Sequence, residues 1–129
     1  MLIAAAVFTA LAALVHVYIF VLESVRWRQP ATWKIFGLAN QQDADTTAPL
    51  AYNQGFYNLF LAIGAVVGTI LLFTGAQQAG YALALLSTGS MLAAAAVLLS
   101  TGRSRLRSAA TQGTFPLLAV ALLLLSLAV

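Results

Sequence analysis

The sequence predicts an all-α integral membrane protein: a four-helix bundle with both termini outside and a short interfacial helix in the first cytoplasmic loop. Three observations predict it. Hydrophobic residues make up 62% of the 129 and charged residues 7%, a balance that would make a soluble domain of this size aggregate. The apolar residues fall into four stretches, each close to the roughly 20 residues a helix needs to cross a hydrocarbon core. All six basic side chains lie in two loops, Arg26, Arg28 and Lys34 after the first stretch and Arg103, Arg105 and Arg107 after the third. The positive-inside rule makes those loops cytoplasmic.

The first span is expected near 2–25. Ala10-Leu11-Ala12 has the form of a cleavage triplet, but no basic segment precedes it and the apolar run is too long for a signal peptide, so the span is expected to stay in the mature protein. Residues 26–48 form the one long cytoplasmic connection. Within it Pro30 suits the first turn of a short helix. Trp33, Phe36 and Leu38 recur at helical spacing opposite Lys34, the pattern of a segment lying in the membrane interface, with Trp27 beside it. Residues 40–47 read as a polar turn.

The second and third spans are expected near 49–74 and 78–101. The short uncharged connection around Gly75 to Gly80 makes them antiparallel neighbours. Gly64 and Gly68 on one, and Gly89 and Ala93 on the other, are small residues four apart, which lets helix backbones approach closely. The fourth span is expected near 108–128, with Leu122 to Leu125 toward lipid. These spans leave no room for a second domain, so residues 1–129 read as one transmembrane domain in the cell (inner) membrane. Gln54-Gly55-Phe56-Tyr57 opens the second span and Gln112-Gly113-Thr114-Phe115 the fourth, an echo of the parallel repeats of some transporters that the first and third spans do not continue.

The chain has one histidine, no cysteine, and acids only at Glu23, Asp43 and Asp45. That set holds no nucleophilic triad, phosphate loop or metal-ligand spacing, so no metal or cofactor is expected. A haem held by two histidines would require a symmetric dimer. The basic collars meet anionic headgroups rather than nucleic acid. The expected partners are the lipid bilayer, a small-molecule or lipid ligand, and a second copy of the chain in a homo-oligomer.

The polar side chains that remain gather near the cytoplasmic ends. His16 and Glu23 are seven residues apart on the first span, on one helical face with His16 roughly 10 Å deeper. Ionisable groups at such depth usually turn inward and serve function. On the second span Asn53 pairs in spacing with Tyr57, and Gln54 with Asn58; Gln112 and Thr111 reach the same level from the fourth. Glu23, Asn53, Gln54, Tyr57, Asn58 and Gln112 are therefore the candidate ligand-binding residues, with His16 and Glu23 as a proton relay. Interhelical hydrogen bonds that merely knit the helices are the alternative for each residue singly.

The string Asn53-Gln54-Gly55-Phe56-Tyr57-Asn58-Leu59-Phe60-Leu61-Ala62, with His16, Glu23, Trp27, Pro30, Lys34, Phe36 and Gly37, resembles the small bacterial four-helix membrane proteins grouped as domain of unknown function 1304. Lys34-x-Phe36-Gly37-Leu38 is similar to a second element of that family, and Gln112, Gly113 and Pro116 to a third. Two positions depart: Val15 stands where an acid often precedes the histidine, and Pro116 lies further from Gln112-Gly113 than usual. The resemblance implies the fold over the whole chain and carries no activity.

Function therefore follows the residues. The leading expectation is binding or transport of a small polar or amphipathic molecule in a cytoplasm-facing pocket, with proton coupling at Glu23. The alternatives are a membrane enzyme acting on a lipid-soluble substrate, with Glu23 or Tyr57 as acid-base group, and a structural accessory subunit. A transporter needs polar access at both faces. An enzyme of this kind needs an opening toward one leaflet.

Overall fold

The computed structural model describes residues 1–128, and among them the chain is helical without strands. Helix α1 covers Leu2–Phe20 and continues into a π-helical turn, Val21–Val25. The short helix α2 covers Pro30–Trp33, α3 Gln41–Phe73 and α4 Gln77–Ser100; a 3-10 turn at Arg103–Arg105 leads into α5, Leu106–Leu127. Four stretches, Leu2–Val25, Gln41–Phe73, Gln77–Ser100 and Arg103–Leu127, are long and apolar enough to cross a membrane, with mean hydropathies of 2.3, 2.1, 2.1 and 1.7.

Helix α3 differs from expectation, because residues 41–48, expected as part of a turn, are its first two turns. Asn40 explains this. Its side-chain oxygen accepts the Asp43 N–H at 2.8 Å while its amide donates to the Asp43 carboxylate at 3.0 Å, a reciprocal arrangement that satisfies a donor of the first turn. Thr46 and Thr47 then return their hydroxyls to the carbonyls of Gln42 and Asp43. Pro49 consequently lies inside the helix rather than at its start. Having no N–H, it leaves the Asp45 carbonyl without its usual intrahelical donor and favours a bend there. With 33 residues α3 is about 50 Å long, well beyond the roughly 30 Å of a hydrocarbon core.

The chain divides into two compact units, one made of Met1–Val15 with the chain from Leu61 onward, the other of His16–Phe60. In the first, Ala12 and Ala13 of α1 meet Ala62 and Ala65 of α3 and Met91 of α4, with Phe115 of α5 packed alongside. A second cluster joins Ala5, Leu72, Ala84 and Leu123. Side chains this small bring backbones together. A methyl group on Gly68 would lie 2.6 Å from the Ala84 nitrogen, and one on Gly80 2.6 Å from that of Leu72. Apolar side chains gain no hydrophobic energy on moving from lipid into the protein, so this close van der Waals packing does the holding. Gly75, at φ 89°, makes the left-handed turn that reverses the chain between α3 and α4. Tyr81 and Ser126 add a 3.0 Å hydrogen bond between α4 and α5.

The second unit is built around the N-terminal half of α3. Its buried face repeats small residues at Ala44, Ala51 and Gly55. The end of α1, α2 and their connection pack on it. Pro30 occupies the first turn of α2, as its lack of an N–H allows. The Trp27 indole donates to the Ala44 carbonyl at 2.9 Å and the Trp33 indole to the Gln41 side chain at 3.1 Å. Gln41 in turn donates to the Arg28 carbonyl. Trp33, expected at the membrane interface with Trp27 and Phe36, is buried in this unit; Trp27 and Phe36 are half-buried, their rings 4.9 Å apart.

Candidate functional site

The π-helical turn sets the site. In it the Arg26 N–H donates to the Val21 carbonyl at 2.9 Å, five residues back instead of four. One extra residue per turn widens the helix, a distortion often found at functional positions. Here two successive polar side chains, Glu23 and Ser24, both reach α3. Asn58 donates its amide to Glu23 Oε2 at 2.9 Å, and the Ser24 hydroxyl donates to the Tyr52 carbonyl at 2.8 Å. Gly55 makes the approach possible: a methyl group there would fall on Ser24 Oγ and come within 3.1 Å of Glu23 Cβ.

Glu23 is only 8% exposed. Its Oε2 is held by Asn58, and Oε1 has no protein partner among the described residues. Since no fully buried side-chain oxygen in the described residues lacks a partner, Oε1 must reach open space. Glu23 also lines a cleft of about 480 Å³, together with Ser24, Trp27, Arg28, Pro49 and Tyr52, among others. Its volume falls in the range of roughly 300–1,000 Å³ typical of small-molecule sites. Trp27 is fixed by its bond to Ala44. Arg28 stands at the rim, largely solvent-exposed, its Nε 3.6 Å from the Asp45 carboxylate. Among the described residues no three acidic or histidine side chains gather as metal ligands.

The expected site residues separate. Glu23 and Asn58 are joined. Asn53, Gln54 and Tyr57 are exposed, and none of them lines the cleft. His16 is buried on α1 at 1% exposure. Gln112 is half-buried on α5, in the other unit. Helical angles explain the division. Taking about 100° per residue, Asn58 falls within about 60° of Ala44, Ala51 and Gly55, Gln54 lies about 40° further from that stripe, and Asn53 points about 140° away from Asn58 and Tyr57 about 100°. That stripe of small residues was a usable signal, because the polar group interrupting it is the one that faces α1. Ser24, Arg28, Pro49 and Tyr52 were not singled out from the sequence. No local pattern marks them, as their convergence depends on the π-helical turn and on the two added turns of α3.

Residues 10–124 match the family described as protein of unknown function (DUF1304), so the chain belongs to that family. No curated protein and no solved structure matches it.

Proposed function

We propose that this member of the DUF1304 family is a membrane protein that binds a small amphipathic molecule in the cleft beside Glu23, on the side that the basic loops mark as cytoplasmic, and releases it when Glu23 is protonated. The observation that carries this is a buried carboxylate with one oxygen held by Asn58 and the other without a protein partner among the described residues, on a residue that lines a cleft with Trp27, Pro49 and Tyr52. A buried charge that served only packing would have both oxygens satisfied from within. Binding is favoured over passage through the protein because two hydroxyls of the helix halves away from the basic loops are used within their own helices. Thr69 donates to the Ala65 carbonyl and Thr88 to that of Ala84.

Asn58 faces Glu23 from α3, Arg28 and Tyr52 share its cleft, and Asp45 pairs with Arg28. A ligand drawn to the carboxylate is lost as acid neutralises it, so binding should fall on acidification and lose that dependence in Glu23→Gln. Native mass spectrometry of the gently extracted protein tests the site. Wild type and Asn53→Ala should retain a discrete adduct that Glu23→Gln loses, all three melting alike. A bare protein in every case, with Glu23→Gln only less stable, would leave Glu23 a structural role alone.

A further inference from the structure

Resting on that binding site, we infer that its ligand is a zwitterionic amphiphile: a primary ammonium and a phosphate or carboxylate a few bonds apart, on an apolar body. Three features of the cleft complement the three parts of such a molecule.

The inner end accepts. Glu23 Oε1 is without a protein donor, and it sits where α1 ends, among the last carbonyls of the helix, which have no intrahelical N–H to meet. The same helix end carries the negative pole of its dipole. A group placed there must donate hydrogen bonds and gains from positive charge. Trp27 and Tyr52 are among the lining residues, and aromatic rings attract an ammonium.

The outer end donates. Arg28 meets only one oxygen of Asp45, at 3.6 Å through Nε, and its side chain is 72% exposed. The terminal nitrogens of its guanidinium have no protein partner among the described residues. They offer the paired donors that suit a phosphate or carboxylate. A sphere of 480 Å³ is about 10 Å across, so one small headgroup can address both ends. A ligand with only a cation would meet repulsion from Arg28, and one with only an anion would meet repulsion from Glu23. Opposite charges in one molecule satisfy both. Val25, Pro49 and Tyr52 also line the cleft, with Val25 67% exposed, and offer apolar surface to the body of such a molecule.

An aminophospholipid of the adjoining leaflet has this chemistry, and soluble phosphoethanolamine carries its headgroup without the apolar body. Full-length protein in dodecyl maltoside is titrated with phosphatidylethanolamine, phosphatidylglycerol, phosphatidylcholine and soluble phosphoethanolamine, and bound species are counted by native mass spectrometry. The expected result is phosphatidylethanolamine retained at least tenfold more tightly than phosphatidylglycerol. Glu23→Gln and Arg28→Gln should each reduce its affinity by about tenfold or more, the usual effect of losing one charge-assisted hydrogen bond. Asn53→Ala, on the exposed face, should not change it. If phosphoethanolamine competes as well as the lipid, the apolar body adds nothing to binding and the amphiphile is overturned. Equal retention of phosphatidylglycerol, or of phosphatidylcholine, whose ammonium has no N–H, overturns it, as does an unchanged affinity in both cleft variants. An endogenous adduct that depends on Glu23 but is not displaced by either ethanolamine compound would refute the zwitterion while leaving the binding site intact. Absence of any adduct would refute both.

Discussion

Gly55→Ala should destabilise the protein, although alanine is the better helix former. The added methyl would fall on Ser24 Oγ, with the Ser24 nitrogen at 3.0 Å and Glu23 Cβ at 3.1 Å. The hydroxyl can rotate away, but only by giving up its 2.8 Å bond to the Tyr52 carbonyl, worth about 0.6–2 kcal/mol between membrane helices. The backbone nitrogen and the β-carbon cannot rotate, so α1 and α3 must move apart by a few tenths of an ångström. Overpacking of this kind costs about 1–3 kcal/mol. The helix-propensity gain of alanine over glycine offsets roughly 0.5–1 kcal/mol of that. The net expectation is a loss of about 1–3 kcal/mol. Gly89→Ala is the matched control, since nothing lies within 4 Å of its added methyl; it should be neutral or stabilising. Unfolding in dodecyl maltoside with increasing sodium dodecyl sulfate, followed by far-ultraviolet circular dichroism, measures both. Adding Ser24→Ala to Gly55→Ala should recover part of the loss, because it removes the nearest atom and leaves the other two. Equal stability of Gly55→Ala and Gly89→Ala would refute the close approach of the two helices at Glu23.

Gly80→Ala should cost at least as much as Gly55→Ala in the same unfolding assay, about 2–3 kcal/mol, because its methyl meets only backbone, the Leu72 nitrogen at 2.6 Å and the Leu71 carbonyl carbon at 2.9 Å. Asn40→Ala removes the cap of α3 and should cost about 0.5–2 kcal/mol, with faster amide hydrogen exchange over residues 41–48 and little change further along the helix. Trp27→Phe keeps the ring but deletes the bond to the Ala44 carbonyl; a loss of about 0.5–1.5 kcal/mol is expected, together with weaker retention of any ligand in the cleft that Trp27 lines.

Four uninterrupted apolar stretches identified the membrane-length helices, because a run of about 20 apolar residues satisfies its backbone in lipid by coiling on itself. Glu23 was legible for a related reason: an acid inside an apolar run is too costly to be left without a use. Side-chain direction was not legible to the same degree. Asn53, Gln54, Tyr57 and Asn58 look equivalent as a polar string, yet only Asn58 lies on the face of small residues that packs against α1. Trp33 shows the same limit. Its spacing fits an interfacial residue, while its indole is buried and bonded to Gln41.

The sequence by itself determined the number of membrane-length helices, their approximate extents, the family and the inward turn of Glu23, because hydropathy and the expense of a buried charge act residue by residue. Tertiary structure decided the π-helical turn at Val21–Val25 and the cleft where Glu23, Arg28, Pro49 and Tyr52 converge. Both involve contacts between segments distant in the chain: Trp27 reaches Ala44, and Ser24 reaches Tyr52. Local propensity contains no term for such pairings.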